Sequence, residues 1–259
     1  MWLNQLRRWR KQKLLRDKRI PIALWEKVVE DALAHYRLDH LDLHRLRELA
    51  SLFLHRKVID GAGGLEMDAY KRAIIAAEAC LLILNMDLDD YDGWLEVIVY
   101  PDSFVITREQ QDEIGVVHEQ RAVLGGEAWS RGPVILAWDD ARPGAGPHGP
   151  GSNVILHEFA HKLDMLNGAA NGMPPLHAGM DRHAWTRAFG DAYGQLQAQI
   201  SRHHRTRIDP YGAENPAEFF AVVTEEFFEM PDRLHNGYPD LYTQLSLFYR
   251  QDPLQRLSA

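Results

Sequence analysis

The five residues His157-Glu158-Phe159-Ala160-His161 leave this chain fewer options than any other stretch of it. A spacing of four turns an α-helix through about 400°, so both imidazoles emerge on one face, about 5–6 Å apart at Cβ, where they can reach a single ion. Glu158 lies about 100° further round and can reach a water at that ion rather than the ion itself. Two neutral imidazoles make two of the three protein ligands of a catalytic Zn²⁺ site, whose fourth position is left to water. A fold built around this HExxH segment must bring a third ligand to it from elsewhere in the chain.

The surroundings support a buried helix. Ser152 or Asn153 is a good N-cap, and Val154, Ile155, Leu156, Phe159 and Leu163 supply apolar faces before Gly168. The Gly- and Pro-rich stretch from Asp139 to Ser152 reads as a loop leading into that helix. The long metzincin pattern would place Gly at 164 and His at 167; Asp164 and Asn167 stand there, so that class is rejected. A carboxylate from a later helix remains. Asn215-Pro216 opens one, with an Asn cap and Pro in the first turn, and Pro231 ends it.

Glu214, Glu218, Glu225, Glu226 and Glu229 are the candidates within that helix or at its edge. Glu218 has the strongest case, because a side chain in the first turn can project toward a neighbouring helix. Its spacing from Asn215 is equally that of a capping box, in which it would only bond the cap's backbone N–H. Glu225, seven residues on and on the same face, is the alternative ligand. Asp164 shares the face of the two histidines, but a rise of about 10 Å from His157 suits a bond at the helix end better than ligation. His177, His183, His203, His204 and His235 lack the paired spacing and read as surface or core residues.

From Ile22 to about Met86 the apolar spacing is helical and predicts three helices, separated near His40 and at Gly61 to Gly64. Short β-rich runs follow, Leu95 to Tyr100, Phe104 to Thr107 and Val134 to Trp138, which predict a small sheet. Val134 to Trp138 reads either as an edge strand aligning an extended peptide or as an ordinary sheet strand. A further helix is expected from Trp185 to about His203. The most apolar stretch, Ala73 to Met86, contains Glu78 and Asn85 and is read as a buried helix rather than a membrane span.

With 259 residues, 46% of them hydrophobic, the chain can bury a sizeable core. Its formal charge of −8 is uneven: residues 1–20 hold eight Lys/Arg and one Asp, leaving −15 on the rest. An acidic body disfavours direct nucleic-acid binding. In the basic arm, Trp2, Leu3, Leu6 and Trp9 keep helical spacing and read as a solvated or docking helix, with attachment to an anionic membrane or a partner as the alternative. Cys80 cannot form an internal disulfide and reads as a buried hydrophobe of a reducing compartment. No secretory segment follows the arm, so the expected location is cytoplasmic. The chain divides into the arm (1–20) and one catalytic unit (21–259), made of a helix-and-sheet part (21–168) and a helical part (169–259).

The segments Gly151-Ser152-Asn153-Val154-Ile155-Leu156-His157-Glu158-Phe159-Ala160-His161-Lys162-Leu163-Asp164 and Asp209-Pro210-Tyr211-Gly212-Ala213-Glu214-Asn215-Pro216-Ala217-Glu218-Phe219-Phe220-Ala221-Val222 resemble the Mlc titration factor A family of zinc peptidases. The likeness extends from about Ile20 to the Gln251–Arg256 ending, although only these two segments are specific. It implies one zinc per chain on His157, His161 and Glu218, Glu158 as catalytic base and Tyr211 as a catalytic helper. The Tyr-to-Glu spacing is similar to that of anthrax lethal factor. It further implies aminopeptidase-type activity on short peptides and binding to the Mlc glucose repressor, which controls the glucose phosphotransferase genes.

The expected fold is therefore α+β, a zincin-like metallopeptidase with a small mixed sheet, a central HExxH helix and a C-terminal helical part. The rival reading is a non-catalytic regulatory protein that sequesters a transcriptional repressor and keeps a vestigial or structural zinc site. The retained Glu158 argues against it, since a purely structural site needs no base beside its ligands.

Overall fold

The computed structural model describes residues 12–102, 104–111, 117–124, 126–128, 132–145 and 151–258. The arm positions Trp2, Leu3, Leu6 and Trp9 lie outside them. Residues 12–18 are helical, and Leu15 and Ile20 are buried in the core, so this end of the arm is docked.

Three helices follow where the apolar spacing put them. Helix α1 (Ile22–Val28) runs on through a wider and then a tighter turn to Tyr36. Helices α2 (His40–Arg56) and α3 (Ala69–Leu82) start at Asp39 and Asp68, whose carboxylates accept the first free backbone N–H groups. Every residue of α3 from Ala73 to Leu82 is buried, and four of the ten are Ala, which lets neighbouring elements approach closely on all sides. No described helix is long and apolar enough to cross a membrane.

The sheet has the order β1 (Val58–Gly61), β2 (Glu96–Tyr100), β6 (Val134–Ala137), β5 (Gly126–Ala128); the first three are parallel and β5 is antiparallel to β6. β3 (Phe104–Gln111) and β4 (Val117–Leu124) pair with each other in a separate antiparallel ladder, Phe104 opposite Leu124. Two corrections follow. The run at Phe104 is not part of the main sheet, and Val134 to Trp138 is not an edge: β6 is bonded on both sides, β5 holds that margin, and Trp138 already opens a helical turn to Ala141.

Helix α4 (Val154–Asp164) is buried along its entire length and packs against α3, β5 and β6. Its Phe159 meets Phe53, Tyr91 and Trp94 at ring-centroid distances of 5.7, 5.3 and 5.7 Å. The C-terminal part is helical: α5 (Arg182–Ser201), α6 (Pro216–Glu229), α7 (Pro231–Gly237), α8 (Pro239–Tyr249) and α9 (Pro253–Ser258). α6 lies against α4. The loop after α4 is pinned at both ends of this contact. Asp164 Oδ2 accepts the N–H groups of Asn171 and Gly172 at 2.8 and 2.7 Å, the helix-end bond expected of it. Gly172, at φ +76°, passes so close to α6 that a Cβ would stand 2.4 Å from the Pro216 carbonyl oxygen.

Candidate metal centre

The two helices that meet at the site are started by the same device. Asn153 Oδ1 accepts the N–H groups of Ile155 and Leu156 at 3.1 Å each, and Asn215 Oδ1 those of Ala217 and Glu218 at 2.9 and 3.0 Å. With its helix capped by Asn215 alone, the Glu218 side chain turns away from the cap. Its Oε2 lies 3.0 Å from His157 Nε2 and 3.3 Å from His161 Nε2, and the two Nε2 atoms are 3.2 Å apart. Ligand bonds of about 2.0–2.1 Å in a tetrahedron imply ligand–ligand edges of about 3.3 Å. These three side chains therefore fit three of the four positions around one tetrahedral divalent ion. No other such His/Cys/Asp/Glu group occurs among the described residues.

The electrostatics point the same way. Burial would push the Glu218 carboxyl up, but the two imidazoles beside it hold it well below the usual carboxylate range. Burial alone would lower His157, yet Glu225, Glu218 and Glu158 outweigh it and push the imidazole well up. The pocket thus favours positive charge, which a divalent cation supplies.

The other four glutamates go elsewhere. Glu225, the alternative ligand, reaches the opposite nitrogen of His157, Oε1 to Nδ1 at 2.7 Å, and its Oε2 accepts the Asn153 backbone N–H at 2.5 Å. Glu226 pairs with Arg233, whose Nε is 2.9 Å away. Glu229 accepts from the Tyr36 hydroxyl and from Asn153 Nδ2, and Glu214 is exposed.

Glu158 is buried one position from His157. Lys162, one turn further, lies in its field with Nζ 4.9 Å from the Trp94 ring, donating to the Gly132 carbonyl at 2.8 Å; burial brings it down to about 8. Lys57 stands 3.8 Å from the same ring and is lowered to about 8 by burial. Tyr211 is on the short turn Pro210–Ala213, fixed by its N–H to Asp209 at 2.8 Å, and its ring centroid is 5.9 Å from that of His157.

Of the remaining histidines, His177 bonds the Phe248 carbonyl at 2.6 Å, while His183, His203, His204 and His235 are exposed. Sequence reasoning gave Asn153 the cap alone. Its Nδ2 also lies 3.1 Å from Glu229, 3.2 Å from Tyr36 and 3.3 Å from Glu78. Nothing in the spacing of these residues signals that cluster, because its members come from four separate elements.

Comparison with known proteins points to a metallo-peptidase family. The family model described as glucose-regulated metallo-peptidase M90 matches residues 6–250. Mlc titration factor A of Salmonella arizonae is 41% identical over 242 residues, covering 90% of this chain and 93% of that protein. The protein of the same name from Salmonella typhi is 39% identical over 257 residues, covering 96% and 92%. An uncharacterized protein of Synechocystis sp. is 38% identical over 255 residues, covering 98% and 90%. With the match spanning both the HExxH helix and the helix that brings Glu218 to it, the chain belongs to the glucose-regulated metallo-peptidase M90 family and is a relative of the Mlc titration factor A proteins.

Proposed function

We propose that this chain is a zinc-dependent peptidase of zincin-like fold, acting as an aminopeptidase on short peptides. The single observation that carries the reading is the triangle of His157, His161 and Glu218 donor atoms, with edges of 3.0–3.3 Å, beside a buried glutamate that is not part of it. His157, His161 and Glu218 would hold the ion, one per chain. When bound, zinc supplies Lewis acidity toward the scissile carbonyl and toward water.

The chain's own residues do the rest. Glu158 takes the proton of the attacking water and passes it to the departing amine, the two halves of general base and general acid catalysis. Tyr211, beside His157, donates its phenolic O–H to the oxyanion of the tetrahedral adduct. The buried setting of Glu158 sharpens both transfers, since charges interact more strongly where water is scarce. The lone buried Cys80 suits a reducing compartment, and we take the cytoplasm as the place of action.

A regulatory reading has one observation in its favour: relatives covering nearly the whole chain carry the name Mlc titration factor A. Binding to an Mlc-type transcriptional repressor is then a second role, or the sole role if the centre is vestigial. Both are tested together. Hydrolysis of aminoacyl chromogenic substrates should fall by about 10²–10⁴ in Glu158→Gln with zinc retained, the usual worth of a positioned base. Loss of activity with unchanged repressor binding would separate the two roles. No hydrolysis by zinc-loaded wild type across a panel of short peptides would leave only the regulatory one.

A further inference from the structure

The two histidines of the candidate centre are held unequally. His157 Nδ1 lies 2.7 Å from Glu225 Oε1. His161 Nδ1 is buried and has no hydrogen-bond partner among the described residues. Glu225 is also occupied at its other oxygen, by the Asn153 backbone N–H at 2.5 Å. Asn153 in turn caps the helix that carries both histidines. One carboxylate thus bonds the far side of a ligand ring and the N-cap residue of that ring's own helix.

We infer that Glu225 is a positioning residue of the metal centre, fixing His157 with the proton on Nδ1 and Nε2 turned to the ion, and tying that ring to the helix start through Asn153. The inference rests on the metal-binding reading above. A metal-ligating histidine commonly donates its other ring N–H to a carboxylate, which sets its tautomer and raises its basicity. What is particular here is that a single side chain does this for one histidine only, so metal affinity should depend on Glu225 out of proportion to its distance from the ion. Glu225 sits two helical turns from Glu218, about 10 Å along α6, and cannot share the ion with it.

The test is zinc affinity of the full chain by competition with a chromogenic chelator, with thermal unfolding of each metal-free variant as the folding control. Glu225→Ala should weaken zinc about 10–100-fold, the usual cost of removing such a partner. Glu225→Gln has one acceptor for two donors and should fall between. Glu226→Gln removes the neighbouring carboxylate, which pairs with Arg233 and touches no ligand, and should stay within about twofold. Cobalt-loaded Glu225→Gln should also show displaced visible absorption bands, which a purely stabilising role would leave in place. Zinc affinity of Glu225→Ala within about twofold of wild type, or an equal loss in Glu226→Gln, overturns the inference. Should Glu225→Ala not fold, wild-type affinity and bands in Glu225→Gln overturn it. A wild-type chain that takes up no zinc overturns the proposed function instead.

Discussion

Glu78 offers a quantitative test of the packing around the centre. It lies in the middle of α3, 5% exposed, with Oε2 3.3 Å from Asn153 Nδ2. Burial first, and the like charge of Glu229 second, push its carboxyl well above the usual range, with the Asn153 bond pulling weakly the other way. The folded chain therefore keeps the Glu78 proton to a higher pH than the unfolded chain, which releases it near 4.5. For a carboxyl raised in the folded state, the stabilising contribution is full below the unfolded value and is lost as pH climbs toward the folded one. One proton of difference is worth about 1.4 kcal/mol per pH unit. Glu78→Gln keeps nearly the same shape, carries no titrating group and escapes that loss. Urea unfolding of both proteins at pH 5, 6 and 7 should show the stability of the variant relative to wild type growing with pH, up to a ceiling of about 2–3 kcal/mol across the range. A difference that is flat in pH, or that shrinks, would refute the upward shift of the Glu78 carboxyl.

Other outcomes follow from the same packing. Phe159→Ala removes the ring by which the HExxH helix meets Phe53, Tyr91 and Trp94, and should cost about 3–5 kcal/mol in urea unfolding. Gly172→Ala places a methyl 2.4 Å from the Pro216 carbonyl at a φ of +76°, so the backbone term of about 1–2 kcal/mol is a lower bound on the loss. Because Pro216 opens the helix bearing Glu218, that variant should also bind zinc more weakly in a chelator titration. Stripping the metal should lower the urea midpoint, by about 4 kcal/mol of stability where free zinc had stood a thousandfold above Kd.

Features written in local chemistry were legible in the sequence. Asn153 and Asn215-Pro216 announce two helix starts, and both helices begin where expected. The i,i+4 histidines share a face because the helix period makes them do so, and the 3.2 Å between their Nε2 atoms follows from it. The choice between Glu218 and Glu225 was not decidable by period, since seven residues return to the same face; it is decided by which nitrogen of His157 each one reaches, Nε2 for Glu218 and Nδ1 for Glu225. β1 was missed because, of its four residues, only Ile59 is buried, and its partner strand is 38 residues away. β5 was missed for its length of three residues, and with it the interior position of β6. Glu78 was legible as an oddity within an apolar helix. Its neighbours Tyr36, Asn153 and Glu229 were not, because no spacing rule links side chains gathered from distant segments.

The central claim is that a carboxylate from α6 completes a metal centre begun by one turn of α4. Elemental analysis of purified wild type beside Glu218→Ala tests it most directly. One zinc per wild-type chain, and its loss from a variant whose circular dichroism is unchanged, is the expected result. A Glu218→Ala protein with full zinc content would contradict it.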